Sequence, residues 1–263
     1  VGSGQMCIRD SIKACFGFDS RVGNYASPET PGSAYVLLHH VFGEIDGEKG
    51  AWGHAVGGMG SITQLMKDVC ETKGVEISTN AAVEKVLIKN NKAVGVMLED
   101  GSEVFADKVI SNLNPKLLFK KLVDRDDVNQ EYRRKILNYK CGSGTFRMNV
   151  ALSELPDFNC LPGKEISEHH KSGIVIAPSL TYMDQAFTDA KQYGWSKNPI
   201  VEMLIPTTVD STLAPDGKHV ASLFCQQFAP TLPDDRCWHN EKDNAANTTV
   251  SYTHLTLPTI LLV

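Results

Sequence analysis

Between residues 57 and 112 apolar positions recur first at the spacing of a helix and then at that of strands. Ile62, Leu65, Met66, Val69 and Cys70 fall on one face of a helix. Ser61 as N-cap, with Gln64 three residues on, predicts a capping box. Gly74 predicts the left-handed residue that ends the helix. Residues 75–78 predict one short strand. Asn90-Asn91 and Asp100-Gly101 predict hairpin turns, and Val94, Val96 and Leu98 alternate between them. Residues 82–105 therefore predict a three-stranded meander. Residues 108–112 predict a return strand, closed by Asn114-Pro115. Segments 75–78 and 108–111 are expected in one sheet, with the meander outside it and the helix face buried against it.

Elsewhere the pattern predicts helices over 12–23 and 34–42, the second so apolar that it should be buried on most sides. His39 and His40 point about 100° apart on it. One is expected to be a satisfied core histidine and the other a boundary residue, unless His40 lines a substrate cavity. Two amphipathic helices follow over 115–123 and 128–139. Strands are expected over 145–152, 173–177, 200–206 and 220–226, and a helix over 181–192, giving an α+β region with helices on one side. Residues 156–170 predict a loop with the pair His169-His170 at the surface.

Composition narrows the function classes. A formal charge of -5 argues against a nucleic-acid surface, and no apolar run is long enough to cross a bilayer. Seven cysteines with no C-x-x-C pair signal neither a zinc knuckle nor a disulfide framework. A reducing intracellular compartment is expected, the mitochondrial matrix in a eukaryote or the cytoplasm in a bacterium. No metal site is expected. The glycines at 50, 53, 57, 58 and 60 lead into a helix, as in an anion cradle, or equally form a tight turn packing Trp52 against that helix. No nucleophile elbow or local catalytic triad is present.

The blocks GGMG, NAAVEKV, AVGVMLEDG and VISNLNP resemble the internal part of the phytoene-desaturase and amine-oxidase flavoproteins. The link VDSTLAPDGKH resembles a segment between two substrate-domain strands of phytoene desaturases. The resemblance spans about residues 13–227. It implies α/β plus α+β architecture: an internal fragment of an FAD-binding Rossmann-like domain with a three-stranded meander, joined to a mixed-sheet substrate domain. Residues 57–115 would be the FAD-domain segment, and 12–56 and 116–249 substrate-domain segments. It further implies FAD in the parent protein and hydride transfer from a small apolar substrate to flavin. No nucleic acid or transmembrane segment is implied; peripheral membrane contact and oligomeric state stay open, and the catalytic residues are not indicated. Val83 would pair its backbone with the adenine, and Ser111 and Asn112 would lie near the same end of FAD. The family's G-x-G-x-x-G is absent from these residues, so this stretch is not expected to hold FAD by itself. A non-catalytic binding or assembly protein on the same scaffold is the alternative. A disulfide reductase would need a redox cysteine pair, which the wide spacing of Cys15, Cys70, Cys141, Cys160, Cys225 and Cys237 disfavours.

The ends carry a different signal. Residues 5–10, QMCIRD, and 250–255, VSYTHL, can be encoded by the two strands of one short DNA, CAG ATG TGT ATA AGA GAC and its reverse complement. This resembles a transposase-type sequencing adapter. Residues 1–11 and 250–263 are accordingly expected to be adapter-derived and peripheral.

Overall fold

The computed structural model describes residues 3–40, 42–140 and 142–252, without the side chains of 3–8 and 252. In chain order the elements are α1 (Ser3–Asp19), α2 (Ala34–His39), β1 (Glu44–Ile45), β2 (Glu48–Lys49), α3 (Met59–Thr72), β3 (Val83–Lys89), β4 (Lys92–Leu98) and β5 (Glu103–Phe105). They continue with α4 (Pro115–Leu117), α5 (Gln130–Asn138), β6 (Thr145–Leu152), α6 (Glu168–Lys171), β7 (Ile174–Ile176), α7 (Leu180–Tyr193), β8 (Trp195–Leu204), β9 (His219–Phe228) and α8 (Trp238–Tyr252). The chain divides into two compact units. One combines the residues up to Thr63 with those from Gly142 onward, and the other runs from Gln64 to Cys141.

The first unit is built on a four-stranded sheet of order β6-β9-β8-β7. Every pairing in it is antiparallel, so the expected mixed sheet is corrected. The links from β7 to β8 and from β8 to β9 return the chain beside the strand it left and reverse its direction, whereas β6 and β7 lie at opposite edges and β6 pairs with the last strand, β9. Helices cover both faces rather than one. Met148, Val150, Leu223, Ala221, Val201 and Met203 alternate onto the face packed by Ala245 and Ala246 of α8. On the other face Ile200 packs with Ala14 and Phe18 of α1 and Met183 and Ala186 of α7. Gln227, at φ +65°, breaks the alternation at the end of β9, and Phe228 joins the α8-side core. Of the ends expected to be peripheral, residues 3–11 open α1, with 9–11 exposed as expected, whereas 250–252 end α8 and Val250 packs against that core. Residues 253–263 lie outside the described residues.

Two other expectations fail in this unit. α2 has no buried residue, and Tyr35 and Leu38 are exposed. Apolar composition marks what a helix would bury, not what is at hand to bury it. His170 is not a surface residue but 0 % exposed. Its Nε2–H donates to the Pro156 carbonyl at 3.0 Å and its Nδ1 accepts the Ser167 N–H at 3.2 Å. A turn that closes on itself can place one of two adjacent histidines inward.

In the second unit the meander forms as expected, in the order β3-β4-β5. Asn90 and Asn91, at φ +52° and +61°, make its first turn, and the Ser102 N–H bonds Asp100 in the second. Gly95 is required where β4 meets β5, because a Cβ there would strike the Val104 carbonyl oxygen. After Asn114 caps α4, a wide helical turn (Leu118–Leu122) continues to Val123, which is buried. Phe119 meets Tyr132 of α5 edge to face, and the Arg133 Nε–H donates to the Phe119 carbonyl.

The sheet predicted around α3 does not form. Residues 75–78 and 108–112 run without a ladder, and α3 buries nothing. Leu65 is 65 % exposed and Ile110 94 %. An extended segment becomes a strand only by exchanging hydrogen bonds with a neighbour, and the described residues supply none. α3 itself starts earlier than expected, at Met59. Ser61 therefore donates back to the Gly58 carbonyl instead of capping, and Gln64 bonds Asp68. Gly74, at φ +77°, ends the helix as predicted.

Candidate functional site

On the four-stranded sheet the register places Val175, Glu202, Phe224 and Arg147 in one row across β7, β8, β9 and β6. Directly paired residues share a face, so all four side chains lie opposite the α8-side core. α1 and α7 cover the Ile200 end of that face, whereas Arg147, Asn149 and Leu204 are exposed. The Arg147 guanidinium lies 5.5 Å from the Phe224 ring centroid and donates to Ser222 Oγ at 3.0 Å. Glu202 is half-buried. Burial pushes its carboxyl pKa up and Asp19 adds to the rise, while Arg147 and His40 oppose it. His40, the candidate cavity residue, is thus within electrostatic reach of this row. Its Nδ1–H donates to the Val36 carbonyl at 2.7 Å, and its ring stacks on Trp52. Two residues from Phe224 on the same face, the buried Gln226 amide has no partner for either its oxygen or its nitrogen.

A second cluster fixes the glycine-rich loop. The Asp210 carboxylate accepts from the Thr212 N–H and hydroxyl at 3.0 and 2.6 Å, the Gly57 N–H at 2.8 Å and His54 Nε2–H at 3.3 Å. These donors, led by the Thr212 hydroxyl, hold its pKa down to about 2. Gly58 follows at φ +79°, where a Cβ would also press on Leu213. The predicted anion cradle is therefore answered, at Gly57, by a carboxylate of the same unit. Trp52 is stacked on His40 and exposed, not packed on the helix.

A buried arginine anchors the segment after α1. Arg21 Nη2 donates to the Ala26 carbonyl, which also accepts from Gln227 Nε2. Burial lowers the Arg21 pKa to about 10 against the pull of Asp184. Cys225, also fully buried, has its thiol pushed up to about 12.

The candidate cofactor residues lie in the second unit. Val83 opens β3, an edge strand paired on one side only, and the ladder is irregular between Val83 and Lys85. Ser111 and Asn112 are exposed on the extended segment, where Ser111 Oγ accepts the Leu113 N–H. No hydrogen bond among the described residues joins Val83 to either. Sequence reasoning named neither Asp210 nor the Arg147–Phe224–Glu202 row. The Asp-Ser-Thr pattern signals the local bonds to Thr212, but nothing local signals Gly57 or His54. Among the described residues no cluster of His, Cys, Asp and Glu could hold a metal ion, and no helix is long and apolar enough to cross a membrane.

These features sit in a mixed α/β chain with antiparallel sheets. The model of the flavin containing amine oxidoreductase family matches residues 4–145, and the chain belongs to that family. It is 36% identical over 240 residues to the pyridine nucleotide-disulfide oxidoreductase domain-containing protein 2 of Mus musculus, covering 89% of this chain and 41% of that protein. It is 31% identical over 197 residues to prolycopene isomerase 2 of an Oncidium hybrid cultivar, covering 73% and 28%. In fold it is similar to the crystal structure of an oxidoreductase from Methanosarcina mazei, with a TM-score of 0.63 at 19% identity over 98% of this chain and 53% of the other. The chain thus spans about two fifths of its mouse relative.

Proposed function

We propose that this chain is part of an FAD-dependent oxidoreductase, phytoene desaturase-like, that takes a hydride from an apolar substrate. Residues 57–115 would serve the flavin domain, and 12–56 and 116–249 the substrate domain. One observation carries the reading: α3 keeps an uncovered apolar face, and the extended segments 75–78 and 108–112 join no strand ladder among the described residues. Those are the parts of a larger sheet, and the relatives have more chain with which to build it.

FAD suits the residues present at its adenine end. β3 has a free edge at which main-chain N–H and C=O groups can pair with a heteroaromatic ring, beginning at Val83. Ser111 and Asn112 offer exposed polar side chains in the same unit. When bound, the flavin would accept the hydride; the protein's part is to bind, orient and exclude water. The 263 residues hold no G-x-G-x-x-G for the pyrophosphate. A few backbone bonds at about 0.5–1.5 kcal/mol each fall short of the roughly 8 kcal/mol of micromolar binding. Relatives named as a phytoene desaturase and a prolycopene isomerase support this substrate class. The free thiols fit a reducing intracellular compartment.

The test is a visible spectrum of two purified proteins, this chain and the longer open reading frame around it. The longer protein is expected to be yellow after gel filtration and this chain colourless. A longer protein without flavin would favour the non-catalytic alternative. Stoichiometric flavin on this chain would overturn the placement of the cofactor.

A further inference from the structure

We propose that the exposed end of the sheet face packed by α1 and α7 is an amphiphile site, in which Arg147 holds a carboxylate and Phe224, Leu204 and Val175 carry the apolar chain attached to it. The inference rests on the reading of this sheet as the substrate side of a flavoprotein, and names the class of substrate it would take.

The chemistry is in the row itself. A hydrocarbon needs only an apolar floor, yet this face holds an arginine laid along an aromatic ring and a carboxyl group two strands away. The guanidinium has five N–H donors in a planar fork, and among the described residues a single hydrogen bond, to Ser222, uses one of its nitrogens. No carboxylate lies within ion-pair distance of it among those residues. Phe224 and Ser222 fix the plane of the fork, which leaves its other edge for a bidentate partner. The partner's chain would then run past the outer edge of Phe224, which is half-buried against the Ile200 cluster, toward Leu204 and Val175, which are apolar and exposed on the same face.

Glu202 gives the site a sign. Its carboxylate accepts no hydrogen bond among the described residues, and it stands about 10 Å from the Arg147 strand at the usual strand spacing. When ionised it repels an anion bound at Arg147; when neutral it does not. Burial and Asp19 favour the neutral form, and Arg147 and His40 favour the charged one. Filling the site with a carboxylate would therefore draw a proton onto Glu202.

Equilibrium dialysis of this chain against labelled oleate and labelled oleyl alcohol, both below their aggregation limits, reads the site directly. Arg147→Met is expected to weaken oleate by about tenfold, the value of one charge-assisted contact, and to leave the alcohol unchanged. Arg147→Lys should fall between. Glu202→Gln should tighten oleate at neutral pH without changing the alcohol, an effect that packing alone would not produce. Phe224→Ala should weaken both probes. Equal weakening of acid and alcohol by Arg147→Met, or none, overturns the assignment, as does absence of binding to the unaltered chain. Flavin content is read separately. Failure here with a yellow longer protein removes the amphiphile site alone, and a colourless longer protein removes the reading beneath it.

Discussion

His170 offers a test of how the first unit holds the turn that leads to Asp210. The ring is fully buried against Phe158 and His169. It bonds Pro156 on one side and Ser167 on the other. Its own carbonyl lies 3.2 Å from the Thr208 hydroxyl, whose single proton it shares with the nearer Ile205 carbonyl at 2.7 Å, in the short turn that leads to Asp210. His170→Phe keeps the ring's bulk and removes both side-chain bonds. Ser167 is exposed, so its N–H can return to water, whereas the half-buried Pro156 carbonyl loses its donor. A loss of about 1–3 kcal/mol follows. His170→Ala adds a cavity and should cost about 2 kcal/mol more. Urea unfolding followed through Trp195 and Trp238, both packed on the same core, measures the difference. A Phe variant as stable as the parent would show that the ring only fills space. An Ala variant no worse than the Phe variant would show the reverse.

Gly95→Ala should destabilise the meander by about 1–3 kcal/mol, since the added methyl meets backbone that cannot swing away; faster hydrogen exchange of the β4 and β5 amides is the readout. Asp210 should make stability depend on acid. Its folded pKa of about 2 lies below the ordinary carboxylate value, so its contribution is complete above that ordinary value and is lost as pH falls toward about 2. Glu202, shifted upward, has the opposite sign and gains stability as pH falls from its folded to its unfolded pKa. The difference in melting temperature between the parent and Asp210→Asn isolates the first effect. That difference should shrink between about pH 5 and about pH 2, and a constant difference would refute the role given to the carboxylate.

What was legible in the sequence is what neighbours in the chain decide. The Asn90-Asn91 turn, the Gly74 stop and the strand through Val94, Val96 and Leu98 each need only local geometry, and each is found, although the buried position of that strand is Gly95. β6 runs over the predicted residues for the same reason: its alternation is set by one buried face. Asp210 and Gly57 are 153 residues apart, and no local pattern in either segment announces the other. The Arg147–Phe224–Glu202 row is equally hidden, because it exists only after three strands have found their register.

The failure at α3 has a different cause, and it bears on function. The helix is amphipathic as predicted, and Ile62, Leu65, Met66 and Val69 do share a face, but that face is exposed. Periodicity reports which side of a helix favours burial and cannot report whether the covering residues belong to the same stretch of chain. Segments 75–78 and 108–112 repeat the point, since their apolar residues are set for a sheet that the described residues do not complete. In the first unit, by contrast, the patterned strands find one another and the core closes. Local pattern was equally clear in both units, so the difference lies in the partners. Val83, Ser111 and Asn112 thus lie in the unit whose extended segments find no ladder, whereas the Arg147–Phe224–Glu202 row lies in the unit whose sheet closes its core.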